Sequence, residues 1–366
     1  MEKKKYLFIV PSLSKGGAER VVSVLASELI PKGRDAVVVT HFQAEKEYPV
    51  NSAVKIICLS ELDEESYRKK MSGTYLIKLA GMLRNVIVQQ KPDYILPFLW
   101  TTCIRTDLAL IGSSLKKKVI QTVRNNPEIF PENDLMKKYR NALVKKSRLT
   151  IVQNEQQKKY FPETEWKKIQ VLPNPVSPSL LQIERHESVE QFKIVGVGRL
   201  ESQKNFDLLI DAVAYVATKY KNVTLDIYGE GSMRKELQAH IDSLKLQQVV
   251  TLKGRSSDYG EIYGTASLFV LSSDFEGMPN TLLEAMAVGL PCISTDCPTG
   301  PSDIIESGKN GILIPTGEKE TLAKRIEELI QKSELRDELG VVAKKTIISR
   351  YTPEKITQKF INICEK

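Results

Sequence analysis

Histidine and tryptophan are scarce in this chain, with three and two residues among 366. The five cysteines, Cys58, Cys103, Cys292, Cys297 and Cys364, are scattered and form no C-x-x-C pair. So little histidine and such isolated thiols leave almost no material for a metal centre. An odd set of separated cysteines points instead to reduced thiols in a cytoplasmic protein. No run approaches the roughly eighteen apolar residues that a membrane-spanning helix needs. The N-terminal segment also lacks a signal-peptide pattern. Its short apolar run, Tyr6–Val10, leads into a glycine turn rather than a small-residue cleavage site.

What is present reads as a globular chain with room for two domains, at 42% hydrophobic and 27% charged residues. The net charge of +8 is lopsided. Residues 1–180 carry 30 Lys and Arg against 18 Asp and Glu, or +12, and the remainder carries 23 against 27, or −4. Basic clusters recur at Arg68–Lys70, Lys116–Lys118, Lys137–Arg140, Lys145–Arg148, Lys158–Lys159 and Lys167–Lys168. Over Leu135–Leu149, helical spacing puts Leu135, Tyr139, Ala142 and Leu143 on one face, with Lys137, Lys138, Lys145 and Arg148 largely off it. Such a basic amphipathic helix suits an anionic membrane surface. No aromatic-interleaved basic strand or recognition-helix pattern accompanies it, so nucleic acid is not expected as a partner.

Strand-like and helix-like patterns alternate through both halves. Expected strands in the first are Tyr6–Val10, Ala36–Thr40, Val54–Leu59, Tyr94–Pro97, Val119–Val123, Thr150–Gln153 and Ile169–Leu172. Helices are expected at Ala18–Ile30, Tyr75–Gln90 and Leu135–Lys146. The alternation restarts at Phe192–Val197 after a polar stretch, Pro178–Glu190, that reads as a domain boundary. Continuous apolar strands separated by helices imply parallel, doubly wound sheets.

The stretch Ser272–Gly289, SSDFEGMPNTLLEAMAVG, places Glu276 in a Gly/Pro turn and Glu284 on the helix that follows. Pro279 suits the first turn, Asn280 or Thr281 can cap, and Gly289 with Pro291 ends the run. Free N–H groups at a helix start attract phosphate, and flanking carboxylates accept hydrogen bonds from sugar hydroxyls. Earlier, GVGRLESQKN at Gly196–Asn205 lacks the third glycine of a dinucleotide fingerprint. It sets Arg199 and Lys204 at the carboxyl end of a strand, where two fixed cations can neutralise a diphosphate leaving group. CPTGPSDII, Cys297–Ile305, reads as a turn before a short helix capped by Ser302 or Asp303. Phe98 and the QTVRNNP set at Gln121–Pro127 lie at strand ends in the first half.

Glu276 and Glu284 together resemble the E-x7-E signature of retaining glycosyltransferases of family 4, in particular those of bacterial surface-polysaccharide assembly. GGAER at Gly16–Arg20, PNPV at Pro173–Val176 and GVGRLESQKN resemble three further segments of that family, in the family's order. The resemblance implies an α/β GT-B fold, with two Rossmann-like doubly wound parallel-sheet domains facing each other across a cleft. It divides the chain into an acceptor-side domain at 1–180, a nucleotide-sugar domain at 181–350, and a C-terminal helix, 351–366, packed back on the first.

By that resemblance the chain moves a hexose or N-acetylhexosamine from a UDP-sugar to a lipid-linked (polyprenyl diphosphate) saccharide, peripherally at the cytoplasmic membrane face. It does so with retention and needs no metal or cofactor. Glu276 then holds donor-sugar hydroxyls, Glu284 the ribose, and Arg199 and Lys204 the diphosphate. Gly16, Gly17, Gly198, Gly277, Met278, Pro279, Asn280 and Thr281 line the donor, and Arg255 lies by the base. Phe98 falls where many members carry a histidine. Arg124 and Asn125 match a subgroup's acceptor-side Asn segment, although a turn with an Asn cap before Pro127 reads equally well. GDP in place of UDP, a soluble acceptor, a nucleotide-sugar epimerase and a binding protein with a decayed site remain alternatives.

Overall fold

The computed structural model describes residues 3–14, 16–44, 48–186 and 190–366. They form two compact units, Met1–Pro175 with Pro353–Lys366, and Val176–Thr352. The sequence boundary at 180 moves back to 175 because Val176 and Leu180 are buried in the core of the second unit. The second unit runs to Thr352 rather than 350, since the Tyr351 carbonyl accepts a 3.0 Å hydrogen bond from the Val176 N–H. Residues 187–189 of the expected linker lie outside the described residues.

The first unit runs β1 (Lys5–Val10), α1 (Gly17–Leu29), β2 (Asp35–Thr40), β3 (Lys55–Cys58), α2 (Glu64–Lys70), α3 (Gly73–Gln90) and β4 (Tyr94–Pro97). It continues with α4 (Trp100–Ala109), β5 (Ile120–Thr122), α5 (Asp134–Lys146), β6 (Leu149–Val152), α6 (Glu155–Lys159) and β7 (Ile169–Val171). Among the described residues the pairings are parallel, in the orders β3-β2-β1-β4 and β5-β6-β7, with a bridge between Ile95 and Val119 joining them. Successive side chains of a strand point to opposite faces. Tyr6, Phe8 and Val10 therefore enter one core, while Leu7 and Ile9 enter the other.

The second unit repeats the plan with β8 (Phe192–Val197), α7 (Phe206–Lys219), β9 (Val223–Tyr228), α8 (Arg234–Ser243), β10 (Val250–Gly254), α9 (Tyr259–Tyr263) and β11 (Leu268–Leu271). Then come α10 (Asn280–Val288), β12 (Cys292–Thr295), α11 (Pro301–Ile304), β13 (Ile312–Ile314), α12 (Lys319–Gln331) and α13 (Ser333–Arg350). Its parallel sheet has the order β10-β9-β8-β11-β12-β13. Ile194 and Val195 split to opposite faces, against α7, α8 and α12 on one side and α9, α10 and α13 on the other. Strand order reverses between β8 and β11, as it does between β1 and β4 in the first unit. Both units are Rossmann-like by this order.

A last helix, α14 (Pro353–Cys364), belongs to the first unit. Fully buried Phe360 lies 5.5 Å from the Tyr6 ring and 5.9 Å from Phe8. Beyond the helix, Glu365 accepts from the Tyr6 hydroxyl at 2.8 Å and pairs with Arg34 at 2.9 Å. The Arg34 hydrogen bond, then that of Tyr6, holds the Glu365 carboxyl below the usual range against the opposing effect of burial. A depressed carboxylate contributes stability that is present above its unfolded pKa of about 4.3 and is lost as pH falls through the folded value. Amide exchange in residues 353–364 is therefore expected to accelerate, relative to the rest of the unit, as pH drops below about 4. Glu365→Gln should abolish that pH dependence, and its persistence in the variant would assign it to another group.

Candidate active site

Ligands of open parallel sheets bind at the carboxyl ends of the strands where the order reverses. In the second unit those ends carry the loops after β8 and β11, which are hydrogen-bonded to each other along their length. Ser272 Oγ donates to the Lys204 carbonyl at 2.8 Å, the Asp274 N–H to the Gln203 carbonyl at 2.9 Å, and Gln203 Nε2 to the Phe275 carbonyl at 2.7 Å. Asn205, at a left-handed φ of 45°, donates to Asp274 and accepts from the Leu208 N–H, so it caps α7 while tying the loops.

Within this frame Lys204 Nζ lies 2.5 Å from Glu276 Oε1, which also accepts from Ser273 Oγ at 2.7 Å. The Thr299 hydroxyl donates to the Glu276 backbone carbonyl. Glu276 is 6% exposed, so its charge is tolerated only because a cation and a hydroxyl face it. Two glycines here lie in close contact with the site. A Cβ on Gly198 would sit 2.9 Å from Lys204 Cε. One on Gly300, whose φ is +98°, would sit 2.8 Å from Pro279 Cδ and 3.0 Å from the Gly277 carbonyl.

Helix α10 starts at Asn280, with Pro279 as N-cap at φ −74° and no side-chain capping bond. The capping role expected of Asn280 or Thr281 is therefore not filled, because proline sets the helical turn one residue earlier. Gly277 and Met278 lead into this turn, and Met278 is buried. First-turn N–H groups without a side-chain cap are the arrangement that receives an anion. Gly289 ends the helix at φ 84°. Helix α11 begins at Pro301 with Gly300 as N-cap, and Asp303, in its first turn, accepts from the Gly300 N–H at 3.4 Å, so of the two expected caps Asp303 serves the helix start.

Glu284 is 3% exposed and accepts from the fully buried Tyr263 hydroxyl at 2.8 Å. Sequence reasoning missed Tyr263, since a tyrosine ending a short apolar helix is indistinguishable from ordinary core. Arg199 and Arg255 are exposed, so the structure keeps them out of the buried pair. Arg199 shares the Gly198–Asn205 loop with Lys204. Arg255 follows Gly254, whose carbonyl accepts from the Gly229 N–H at 2.8 Å, next to the 3.0 Å bond from Gly198 N–H to the Tyr228 carbonyl.

The first unit has its own strand-end cluster. Gly16 is the N-cap of α1 and Gly17 its first residue. After β4, Phe98 is buried and Leu99 is held at φ 74°, a conformation that marks local strain in a non-glycine residue. Arg124, after β5, lies over the Phe98 ring at 5.0 Å and donates from Nη2 to Asn174 Oδ1 at 2.6 Å. Asn125 is exposed, and the turn is closed by Asn126, whose Oδ1 accepts from the Glu128 N–H at 2.9 Å. His41, after β2, is buried, and burial followed by Arg105 lowers it to about 3, so the ring is neutral at physiological pH. Helix α5 departs from its expected face. It buries Arg140, Leu143 and Val144 and leaves Leu135 68% exposed. Arg140 can turn inward because Tyr160 and Phe161 stack on its guanidinium.

Residues 15–180 match the family model Glycosyltransferase Family 4, and residues 181–346 match Glycosyl transferases group 1. The chain is 28% identical over 343 residues, 93% of each protein, to the Campylobacter jejuni enzyme named GalNAc-alpha-(1->4)-GalNAc-alpha-(1->3)-diNAcBac-PP-undecaprenol alpha-1,4-N-acetyl-D-galactosaminyltransferase. It is 35% identical over 172 residues to the poly(ribitol-phosphate) alpha-N-acetylglucosaminyltransferase of Staphylococcus aureus, matching 47% of this chain but only 35% of that protein's length. Among solved structures it resembles Anabaena HepE in complex with UDP and glucose, with a TM-score of 0.79 at 18% identity over 99% of both chains. Sucrose-phosphate synthase from Thermosynechococcus elongatus gives 0.82 at 15% identity over 99% and 98%. At those identities the likeness shows the fold, which is GT-B.

Tyr263→Phe removes one hydrogen bond to a buried carboxylate and is expected to destabilise the protein by about 1.5–3 kcal/mol. Urea unfolding measures this, and an unchanged midpoint would show that the bond contributes nothing.

Proposed function

The chain belongs to the family 4 glycosyltransferases, and from that premise we propose that it transfers a hexose or N-acetylhexosamine from a UDP-sugar to a lipid-linked, polyprenyl diphosphate saccharide. The observation that carries the reading is the Lys204–Glu276 pair, fixed where strand order reverses and followed by the start of α10. UDP is supported as the donor nucleotide by the neighbours solved with it. The Campylobacter relative's name supports the lipid-linked acceptor.

In the proposed reaction the diphosphate departs toward Lys204, Arg199 and the first-turn N–H groups of α10, around Met278–Thr281. These charges stabilise the leaving group as the anomeric C–O bond breaks. Glu276 accepts hydrogen bonds from donor-sugar hydroxyls as Lys204 turns to phosphate. Glu284, steadied by Tyr263, accepts from the ribose, and Arg255 lies by the base. The backbone at Gly198 and Gly277 allows close approach by donor phosphate or sugar. The acceptor hydroxyl attacks from the face that the leaving group vacates, which retains the anomeric configuration. Its proton passes to a donor phosphate oxygen, so no histidine base is needed where Phe98 stands. Two side-chain cations supply the charge that a divalent metal supplies in other transferases.

The surface of the first unit supports peripheral attachment to the cytoplasmic face of a membrane. On α5, Lys138, Lys145 and Lys146 are exposed beside Leu135. Tyr139 fastens this helix to α4 through a 2.6 Å bond to Asp107, where Leu108 and Ile111 are also exposed. Each basic group near an anionic leaflet contributes about 1 kcal/mol.

Lys204→Ala is expected to lower kcat by about 10²–10³, the scale of losing one electrostatic partner of the transition state; turnover close to wild type would remove the basis of the reading. Substituting Lys138, Lys145 and Lys146 by Gln should reduce co-sedimentation with vesicles containing anionic lipid, and undiminished binding would move the membrane surface elsewhere.

A further inference from the structure

Arg124 and Arg140 line one pocket of the first unit, walled by Leu99, Trp100, Phe130 and Val144. A guanidinium carries five N–H donors in a rigid fork. Arg124 uses Nη2 on Asn174, and its buried Nε and Nη1 have no hydrogen-bond partner. Arg140 is 5% exposed, and all its nitrogens donate to neutral oxygens, the Phe130 carbonyl and Asn141 Oδ1. Among the described residues no carboxylate acts on either group. Burial alone pushes Arg124 down to about 9, and burial is the largest influence on Arg140, which it also lowers. Both remain cations at neutral pH. Two cations thus share a largely apolar pocket without a counter-charge from the described residues, and one of them has donors to spare.

The position is also that of a ligand site. Arg124, Gln153 and Asn174 follow β5, β6 and β7, and Arg124 and Gln153 both donate to Asn174 Oδ1. Three adjacent parallel strands therefore present one polar cluster at their carboxyl ends, the edge that binds ligands in such sheets. An oxyanion is the ligand that uses a planar N–H fork in pairs and compensates buried positive charge. The wall of Leu99, Trp100, Phe130 and Val144 suits an apolar group attached to that anion.

We propose that the Arg124–Arg140 pocket is an anion subsite that binds the phosphate or diphosphate of an amphiphilic ligand. The inference rests on the proposed function in one respect, that the acceptor described there would bring such a diphosphate. Arg124 makes the direct contacts, and Arg140 supplies charge from behind them. Ligand binding turns Nε and Nη1 from unpaired donors into charge-assisted hydrogen bonds.

The test uses the full chain saturated with UDP, so that the nucleotide site in the second unit cannot take up the probe. Inorganic pyrophosphate and farnesyl diphosphate are titrated calorimetrically into wild type and Arg124→Met. Both probes are expected to bind at least tenfold more weakly to the variant, with UDP affinity unchanged. Without ligand, the variant should melt at or above the wild-type temperature, because an uncompensated buried cation has gone. Tighter binding of farnesyl diphosphate than of pyrophosphate assigns the site to a lipid diphosphate, and equal binding assigns it to free phosphates. Unchanged affinity for both probes in Arg124→Met, or a lower melting temperature with affinity retained, makes Arg124 a structural cation and overturns the proposal. If Arg124→Met cannot be purified folded, Arg124→Lys, which keeps the charge but not the fork, must show the same loss. No turnover is needed. Diphosphate binding that is lost in Arg124→Met, in a chain without transferase activity, would leave the subsite standing without the function, and an active transferase whose diphosphate binding Arg124→Met leaves unaltered would leave the function standing without the subsite.

Discussion

A single buried ion pair sets the geometry of the second unit's strand-end loops. Lys204 and Glu276 meet at 2.5 Å although 72 residues separate them. Neither charge would be stable in that place alone, since an unpaired buried ion costs several kcal/mol. Everything around the pair serves its register. The Gln203, Asn205 and Ser272 hydrogen bonds hold the two loops side by side, and the absent Cβ of Gly198 leaves room for the lysine stem. The absent Cβ of Gly300 in turn lets the chain close over Pro279 and Gly277.

The same topology produces a strand-end cluster in each unit, but with opposite chemistry. In the second unit the acids Glu276 and Glu284 are buried and partnered by Lys204 and Tyr263. In the first unit's pocket the charges are Arg124 and Arg140, and their partners are amide oxygens, a backbone carbonyl and aromatic rings. The charge asymmetry of the sequence, positive in the first half and slightly negative in the second, is thus not only a surface property. It extends into the strand ends where ligands of parallel sheets lie.

Much of the fold was legible because continuous apolar strands and glycine or proline breaks are local signals. The bounds of β4, Tyr94–Pro97, and β8, Phe192–Val197, coincide with those read from the sequence. Helix α4 was not legible. WTTCIRTDLA has no clean apolar stripe, and the helix follows a strained Leu99 that no propensity favours. The face of α5 was misassigned because periodicity counts arginine as polar, whereas Arg140 is buried under two aromatic rings supplied by distant sequence. At the site, glycine turns and the spacing of Glu276 and Glu284 were visible. The hydroxyl of Tyr263 and the meeting of Lys204 with Glu276 depend on long-range packing that no spacing encodes.

Helix α14 gives the first unit an unusual history. Its core includes Phe360, Ile356 and Ile361, which a ribosome makes only after the entire second unit has been synthesised. Until then Tyr6 and Phe8 lack the side chains that cover them. The nascent first unit must therefore carry an unfinished greasy flank through most of translation, and the later-made unit can complete its fold before the earlier one does.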